Sequence, residues 1–598
     1  MRSATSQFHP AMPPFRAPFA PDDVAIARDL MARSTLEPER ERRIDALATS
    51  LIEAIRSKSG GLGGVEELLR EYSLSTREGL ALMVLAEALL RVPDSATADR
   101  LIEDKLGQGD FARHEAKSDA FLVSASAWAL GVTARIIQPG ETPEGILGQL
   151  AKRIGLPAVR TATRQAMRVL GNHFVLGQTI EEALKRAQSS AGRIYRYSFD
   201  MLGEGARTKE DADRYWRSYA DAIDAIGRAA GNEPLPNRPG ISVKLSALHP
   251  RYEAVSRARV MAELVPQVVA LAEKAKSYDL NFTIDAEEAD RLELSLDVIA
   301  AVVASPSLAG WDGFGLAIQA YQKRAAAVID WIAALAEHHD RRFMVRLVKG
   351  AYWDTEIKRA QERGLSGYPV FTRKAMTDLH YMACAEKLLA LRPRIFPQFA
   401  THNALTVASI VERAGKVEGF EFQRLHGMGE ALYGKLLQTL PGAACRTYAP
   451  VGGHRDLLAY LVRRLLENGA NSSFVSVAAD PNVPIADILK RPAAIIGSPE
   501  AAANPRLPLP AALYGSRVNS AGVEFGHAEE FERLMDDLQK AGLPTAPARA
   551  LVDGESCPGT RREVISPIDG KTVAGIVEDA DEATADAAMA AARAGFAA

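Results

Sequence analysis

RFMVRLVKGAYWDTEIKRAQ, residues 342–361, changes character halfway: Phe343 to Val348 is an apolar run broken by one arginine, and beyond Lys349 and Gly350 the sequence turns helix-like. Seven other short runs between residues 195 and 450 do the same, each stopping at a polar or charged side chain: Tyr197 to Asp200, Ile241 to Lys244, Phe282 to Asp285, Leu316 to Gln319, Phe399 to His402, Phe420 to Gln423 and Arg446 to Tyr448. Short apolar runs alternating with helical sequence describe parallel strands joined by crossover helices. The strand ends lie about twenty to sixty residues apart, room for one helix in every interval and for extra structure after the fifth strand. An open doubly wound sheet would carry a glycine-rich turn after its first strand, and none is there. The expected fold is α/β, a (β/α)8 TIM-like barrel, with its chemistry where strands end, because the loops there converge on one mouth.

Around the barrel, residues 1–21 read as a Pro-rich flexible arm, 22–190 as an all-helical domain, 191–490 as the barrel, 491–540 as a linker and 541–598 as a separate C-terminal piece. In the helical block Ser75 to Glu78 has the form of a capping box, and Thr142-Pro143-Glu144 opens another helix. Such a block serves packing or self-association, so a homo-oligomer is compatible with it. Gly61 to Gly64 follows no strand and lacks the GxGxxG spacing, so it is not read as a nucleotide loop.

Composition narrows the function classes. A chain of 598 residues with a net charge of -3 is not built mainly as a nucleic-acid binder, whose docking face usually leaves a domain basic. Its three cysteines, Cys384, Cys445 and Cys557, are far apart and suggest neither a disulfide framework nor a zinc site. No HExxH, EF-hand loop or convincing triad is present, so no metal is expected and hydrolysis is not favoured. Prolines interrupt the N-terminus where a signal peptide needs an apolar stretch, and no uncharged segment reaches spanning length, so the expectation is a cytoplasmic protein, at most peripheral at a membrane.

Several groups gather at the expected mouth. RDLLAYLVRRLLENGANSSFV, after the last strand, reads as a helix carrying Arg463, Arg464 and Glu467 on successive turns. Paired guanidiniums can clamp a small carboxylate, with the glutamate holding one of them; the bland reading is a solvated helix face. Lys244 and Asp285 end the second and third strands with opposite charges, as a structural ion pair or as functional groups. Arg346 and Lys349 emerge beside Gly350, which allows close backbone approach, while Tyr352 and Trp353 offer flat apolar surface. Thr372, Arg373 and Lys374 look like a helix start that attracts phosphate, or like a plain threonine cap with solvated neighbours. Gln319, His402, Asn403 and Gln423 add hydrogen-bonding groups. A carboxylate clamp, an aromatic shelf and a diphosphate perch together suggest redox chemistry on a small acid with a flavin-like cofactor.

The stretches RYSFDMLGEGARTKEDA, GISVKLSALHPRYE, NFTIDAEEADRLELSLDV, GFGLAIQAY, RLVKGAYWD, FATHN, FQRLHGMGEALYG and CRTYAPVGGHRDLLAYLVRRLLENGANSSFV, in this order, closely resemble the proline dehydrogenase domain of the proline utilization A (PutA) family over roughly residues 160 to 480. VRTATRQAMRVLGNHFVLG is similar to the segment preceding that family's barrel. The resemblance implies FAD-dependent oxidation of L-proline to 1-pyrroline-5-carboxylate, with electrons passed to a membrane quinone. It implies that Arg463, Arg464 and Lys244 hold the proline carboxylate and that Glu204 and Glu467 support the arginines. Tyr448 would pack on the proline ring, Tyr352 and Leu347 would line the pocket, and Asp285 would sit between cofactor and substrate groups. Gln319, Arg346, Val348, Lys349, Gly350, Ala351, Trp353, Thr372, Arg373, Lys374, His402, Asn403 and Gln423 would contact FAD. The clamp then points C5-H of a neutral amine at the flavin N5.

Two departures from that family stand out. Members that repress transcription begin with a ribbon-helix-helix domain, and this N-terminus shows no such pattern, so no DNA binding is expected. Residues 551–598 resemble the opening of an aldehyde dehydrogenase domain, with a V-x-SP-x-DG strand pair and an Ala-rich helix, and the chain stops inside that helix without a C-cap. The expectation is therefore an incomplete aldehyde-dehydrogenase-like stub and a first half-reaction only. An inactive structural or regulatory fragment, and a dehydrogenase of a hydroxyproline-type imino acid, are the alternatives.

Overall fold

The structure, a computed structural model, describes residues 12–58, 175–453, 474–542 and 546–596. Eight parallel strands close into one barrel in chain order: β1 (Arg196–Met201), β2 (Gly240–Val243), β3 (Asn281–Ile284), β4 (Phe314–Gln319), β5 (Phe343–Val348), β6 (Ile395–Ala400), β7 (Glu421–Leu425) and β8 (Cys445–Val451). β1 pairs with β2 on one side and with β8 on the other, Arg196 opposite Arg446 and Met201 opposite Val451, which closes the ring.

Among the described residues, α1 (Asp23–Ala32), α2 (Pro38–Lys58) and a short helix, Ile180–Ala187, precede the barrel. Around it run α3 (Lys209–Ala229), α4 (Arg257–Ser277), α5 (Leu292–Val303), α6 (Ala325–His338), α7 (Trp353–Glu362), α8 (Lys374–Ala390), α9 (Ala404–Ala414) and α10 (Glu430–Thr439). The extra structure expected after the fifth strand is the α7–α8 pair. Helix starts are written locally: Thr208 caps α3 by accepting from Asp211 N at 3.1 Å, and Asn403 caps α9 by accepting from Thr406 N at 3.1 Å. Gly415, at φ +69°, ends α9 in the left-handed region.

Period-two alternation sorts each strand. Phe199, Ile241, Phe282, Leu316, Val345, Phe399 and Phe422 belong to the main core shared with the helices. One residue out of phase, Ser198, Asp200, Ser242, Thr283, Arg346, Gln398, Gln423 and Arg446 are buried as well, and they fill the barrel interior with polar groups.

The sequence places β6 four residues too late, over Phe399 to His402. The strand starts at Ile395 and contains Pro397, which pairs in register with Val345 of β5 but lies ahead of the β6–β7 ladder, which opens at Gln398. A missing N–H costs little there.

Residues 12–21 are not a flexible arm. Phe15 and Phe19 are buried in barrel-side clusters, and the Arg324 guanidinium lies 4.8 Å from the Phe19 ring. Trp331 donates to the Pro13 carbonyl at 3.0 Å, and Lys323 pairs with Asp23 at 2.9 Å. Two aromatic anchors outweigh the prolines that make the segment read as an arm. α2 lies along α9, with Ile44 and Ala48 against Leu405 and Ala408. The rest of the expected helical domain, residues 59–174, including the capping box at Ser75 and the helix start at Thr142, lies outside the described residues.

The expected linker from 491 to 540 is also divided differently. Residues through His527 belong to the same compact unit as the barrel, held by Arg363 to Glu524 at 2.6 Å and by Tyr368 OH donating to the Pro508 carbonyl at 2.6 Å. A second unit, Ala528–Ala598, holds α11 (Ala528–Ala541), the antiparallel pairs β9 (Ala550–Val552) with β10 (Glu555–Cys557) and β11 (Thr560–Ile565) with β12 (Val573–Asp579), and α12 (Glu582–Gly595). The expected strand pair and Ala-rich helix are both present. α12 runs to Gly595, and the Phe596 N–H makes an ordinary helical bond to the Ala592 carbonyl at 3.1 Å. Among the described residues no helix is long and apolar enough to cross a membrane, and no cluster of His, Cys, Asp and Glu could hold a metal.

Candidate active site

The inward positions at the C-terminal ends of the strands bring Asp200, Lys244, Asp285, Arg346 and Tyr448 together from β1, β2, β3, β5 and β8. The Lys244 ammonium donates to Asp200 Oδ1 at 2.9 Å, to Asp285 Oδ2 at 3.0 Å and to Tyr448 OH at 3.3 Å. Tyr448 OH in turn donates to Asp285 Oδ2 at 2.9 Å. Arg346 donates from one terminal nitrogen to Asp285 Oδ1 at 2.8 Å and from the other to Ser198 Oγ at 3.0 Å and Ser242 Oγ at 2.9 Å. Its guanidinium lies 4.9 Å from the Tyr448 ring. Two cations and two carboxylates balance, so no buried charge is left alone. Lys244 and Asp285 are thus more than an isolated ion pair: they are half of a four-charge network.

That network sets the protonation states. Burial raises the Asp200 carboxyl, with Lys244 working against it. Burial also pushes Asp285 up, but Lys244 and Arg346 outweigh it and hold that carboxyl below its ordinary value. Lys244 is pushed down by burial and lifted well above the usual lysine range by Asp200, Tyr448 and Asp285. Lys244 is therefore a cation whose three donors are all engaged, and an incoming carboxylate must replace one of them. The Tyr448 contact, at 3.3 Å the longest, is the one most easily given up.

The β5 loop forms one wall. Gly350 has φ +141°, and a Cβ there would fall 2.3 Å from the Tyr321 ring, so only glycine fits. Gln319 accepts from Ala351 N at 3.3 Å and donates to the Glu287 carbonyl at 2.7 Å, tying the β5 loop to the β3 loop. Trp353 donates to the Phe371 carbonyl at 2.9 Å and keeps 37% of its surface exposed. Val348 and Tyr352 are half-buried beside it. Leu347, one residue out of phase with Arg346, is fully buried in the main core, and its carbonyl accepts from Tyr381 OH at 3.2 Å. Strand parity thus faces Leu347 away from the Arg346 side.

Farther out, Asp378 sits between Lys349 and Lys374, with the second contact at 3.0 Å. Burial works to raise its carboxyl, but the two lysines outweigh it and hold it low. The residue before α8 is Arg373, which makes no side-chain cap, and Thr372 Oγ1 instead accepts from Asn504 N at 2.9 Å. The threonine-cap reading is excluded, and the first N–H groups of α8 have no side-chain cap. Arg373 is turned to the carbonyls of Ile495, Ile496 and Ala501. Leu425 N–H donates to His402 Nε2 at 3.1 Å, which puts a neutral ring's proton on Nδ1. Asn403 spends its carbonyl on the α9 cap. Glu204 is half-buried between Gly203 and Gly205, where Gly205 N donates to Ser246 Oγ at 3.1 Å. Arg463, Arg464 and Glu467 lie outside the described residues.

The mouth fits a flavin dinucleotide on its own chemistry. Among the described residues Arg346 Nε and Gln423 Oε1 are buried without a hydrogen-bond partner, Gly350 allows close approach, and Lys349 and Lys374 stand beside the uncapped start of α8. A cavity of about 240 Å³ lies between α1–α2 and the starts of α8 and α9, bordered by Lys374, Asp378, Asn403 and Arg33 and by none of the network residues. Sequence reasoning missed Ser198, Ser242 and Tyr219, whose hydroxyl accepts from Lys244 N at 3.2 Å. It also left Asp200 out of the site, although Asp200 ends the first run and so carried the same signal as Asp285.

A (β/α)8 barrel with a balanced charge network at its mouth, and open hydrogen-bonding positions around it, defines a barrel protein shaped for a small polar ligand and a large cofactor. A family model described as "Proline dehydrogenase" matches residues 183–477, and one described as "DNA-binding domain of Proline dehydrogenase" matches residues 64–174. "Bifunctional protein PutA" of Klebsiella aerogenes is 45% identical over 579 residues, covering 94% of this chain and 44% of that relative. Its counterpart in Rhizobium meliloti is 46% identical over 576 residues, covering 95% and 46%. A crystal structure of Bradyrhizobium japonicum Proline Utilization A is 69% identical with a TM-score of 0.73, covering 89% of this chain and 54% of that one. The chain belongs to the PutA family and carries its proline dehydrogenase barrel. It spans about half the length of the relatives it matches. The second family match stands against the expectation of no DNA binding. That expectation rested on the first residues and on a whole-chain charge of -3, which cannot report on one segment.

Proposed function

We infer that this chain oxidises L-proline to 1-pyrroline-5-carboxylate with FAD as cofactor, the first step of proline degradation to glutamate, and passes the electrons to a membrane quinone. The observation that carries this reading is the Lys244–Asp285–Arg346–Tyr448 network, set at the mouth of a barrel of the proline dehydrogenase family. FAD, when bound, supplies the acceptor for the hydride that leaves proline. Arg346, Lys349, Gln423, Thr372 and Lys374 would hold it.

The protein's own part is binding and orientation. Lys244 keeps its charge through Asp200 and Asp285 and offers it to the proline carboxylate, which takes the place of the Tyr448 hydroxyl. Arg463 and Arg464, braced by Glu467 and Glu204, complete the clamp by their match to the family. Tyr448, held over Arg346, presents a ring face to the pyrrolidine. The amine must be neutral for its lone pair to stabilise the forming imine. No protein nucleophile is required.

Purified protein should be yellow, and L-proline should bleach its flavin absorbance. Protein that takes up FAD but is not bleached would be an inactive fragment, and bleaching by hydroxyproline alone would reassign the substrate. Arg464→Lys should keep FAD bound and raise KM for proline about tenfold or more, since an ammonium cannot make the forked contact. Unchanged KM would remove Arg464 from the clamp.

A further inference from the structure

A carboxyl outside the charge network ties the two walls of the mouth together. Glu356, on α7, is 2% exposed, and its Oε1 accepts from Ala289 N in the β3 loop at 2.7 Å and from Tyr321 OH, just past β4, at 3.4 Å. The same phenol meets the backbone of Tyr352 in the β5 loop, and its ring closes the space beside Gly350. One side chain therefore joins the loop that starts at Asp285, the loop that carries Tyr352, and the tyrosine between them. Arg359, one turn further along α7, pairs with Asp290 of the β3 loop at 2.5 Å. Gln319 bridges the same two loops on its own, through the Glu287 carbonyl and Ala351 N. Two bridges that converge on the loops bearing Asp285 and Tyr352 fix the distance between those residues.

We propose that Glu356 is a positioning residue that, through Ala289 and Tyr321, locks the β3 loop to the β5 loop and so sets the width of the substrate pocket. The proposal rests on the reading that this mouth binds proline. Glu356 touches neither substrate nor the four-charge network; it acts through the loops. The groups that face it are Glu288, Asp290 and the Ala289 N–H of the β3 loop, the Tyr321 hydroxyl, the Arg324 guanidinium, and Arg359 of its own helix. Burial first, then Asp290 and Glu288, push its carboxyl up to about 8, against the pull of the Ala289 N–H and of Arg359. A glutamine, which keeps the accepting oxygen and carries no charge, is therefore the close substitute.

The test uses the FAD-loaded full chain and three variants, Glu356→Ala, Glu356→Gln and Tyr321→Phe. Glu356→Ala should retain its flavin, raise KM for proline on the order of tenfold and change kcat less; Glu356→Gln should restore the wild-type KM, and Tyr321→Phe should fall between. Independently of turnover, amide hydrogen exchange in Glu356→Ala should rise together over residues 286–291 and 350–354, return with Glu356→Gln, and stay unchanged in β1 and β2. An unchanged KM with exchange raised only within α7 overturns the proposal. If Glu356→Ala does not fold, Tyr321→Phe decides: wild-type KM and wild-type exchange in both loops overturn it. If wild-type flavin is not reduced by proline while the paired exchange response is present, the loop lock stands and the substrate reading falls.

Discussion

Arg446 and Arg346 occupy inward positions in the same barrel, at 0% and 3% exposure, yet they are furnished in opposite ways. Arg446, near the floor, gives Nε to Glu421 Oε1 at 2.5 Å, one terminal nitrogen to Glu421 Oε2 at 3.2 Å and the Pro236 carbonyl at 2.5 Å, and the other to the carbonyls of Tyr197 and Arg238 at 3.1 and 2.8 Å. Glu421 is held further by Arg196 at 2.8 Å and by Gln398 at 2.7 Å. Every donor of Arg446 has a protein acceptor, so its charge is complete, although Gln398 Oε1 and Arg238 Nε beside it are left over. Arg346, at the mouth, leaves Nε without a partner, and Asp200 Oδ2 and Gln423 Oε1 are also left over. A buried charge that is fully satisfied belongs to the fold; a buried charge with a donor left over among the described residues is open to a ligand.

That contrast breaks most readily at the floor. Glu421→Ala strands Arg446 and Arg196 together and should cost about 3–5 kcal/mol in urea unfolding, because an unpaired buried charge is left behind. A loss under about 1 kcal/mol would mean that the Arg446 charge is not completed by Glu421. At the mouth the balance should reverse. Arg346→Lys keeps the charge but loses the fork to Asp285, Ser198 and Ser242, so stability should change by about 1–2 kcal/mol while proline-dependent flavin reduction falls on the order of a hundredfold. Equal losses in both measurements would place Arg346 with Arg446 as a structural group.

The smallest effect is in acid. Burial works to raise Glu421, but Arg446 and Arg196 hold its carboxyl below the ordinary glutamate value. Its stabilising contribution is therefore present above that ordinary value and is lost as pH falls through the depressed folded one. Unfolding free energy should drop by about 1 kcal/mol or more between roughly pH 5 and 3, and Glu421→Gln should flatten that slope. An equally steep slope in the variant would assign the acid loss to other carboxylates, of which Asp285, also held low, is the first candidate.

The strands were legible because an apolar run flanked by helical sequence has few other readings, and seven of the eight land within a residue or two of their expected start. β6 was placed late, over Phe399 to His402, and only the register with its neighbours shows that Pro397 lies inside the strand where no donor is needed. Asp285, Lys244, Arg346 and Tyr448 were readable as strand-end groups. Their joint geometry was not, since sequence spacing says nothing about which strand faces which across a ring. Glu356 gave no signal at all: in RFMVRLVKGAYWDTEIKRAQ it is one more acidic residue on a polar helix, and its burial is decided by the β3 loop, which lies some seventy residues earlier and folds over it. Phe15 and Phe19 were similarly hidden among prolines.

Sequence alone determined the alternation of strand and helix, the residues that end each strand, and the family, because local periodicity and contiguous motifs survive in one dimension. Tertiary structure decided which buried charges are completed by the chain and which are left open. Completion depends on partners from different strands meeting at one end of the ring or the other, and that is a property of ring closure, absent from any stretch of the chain taken singly.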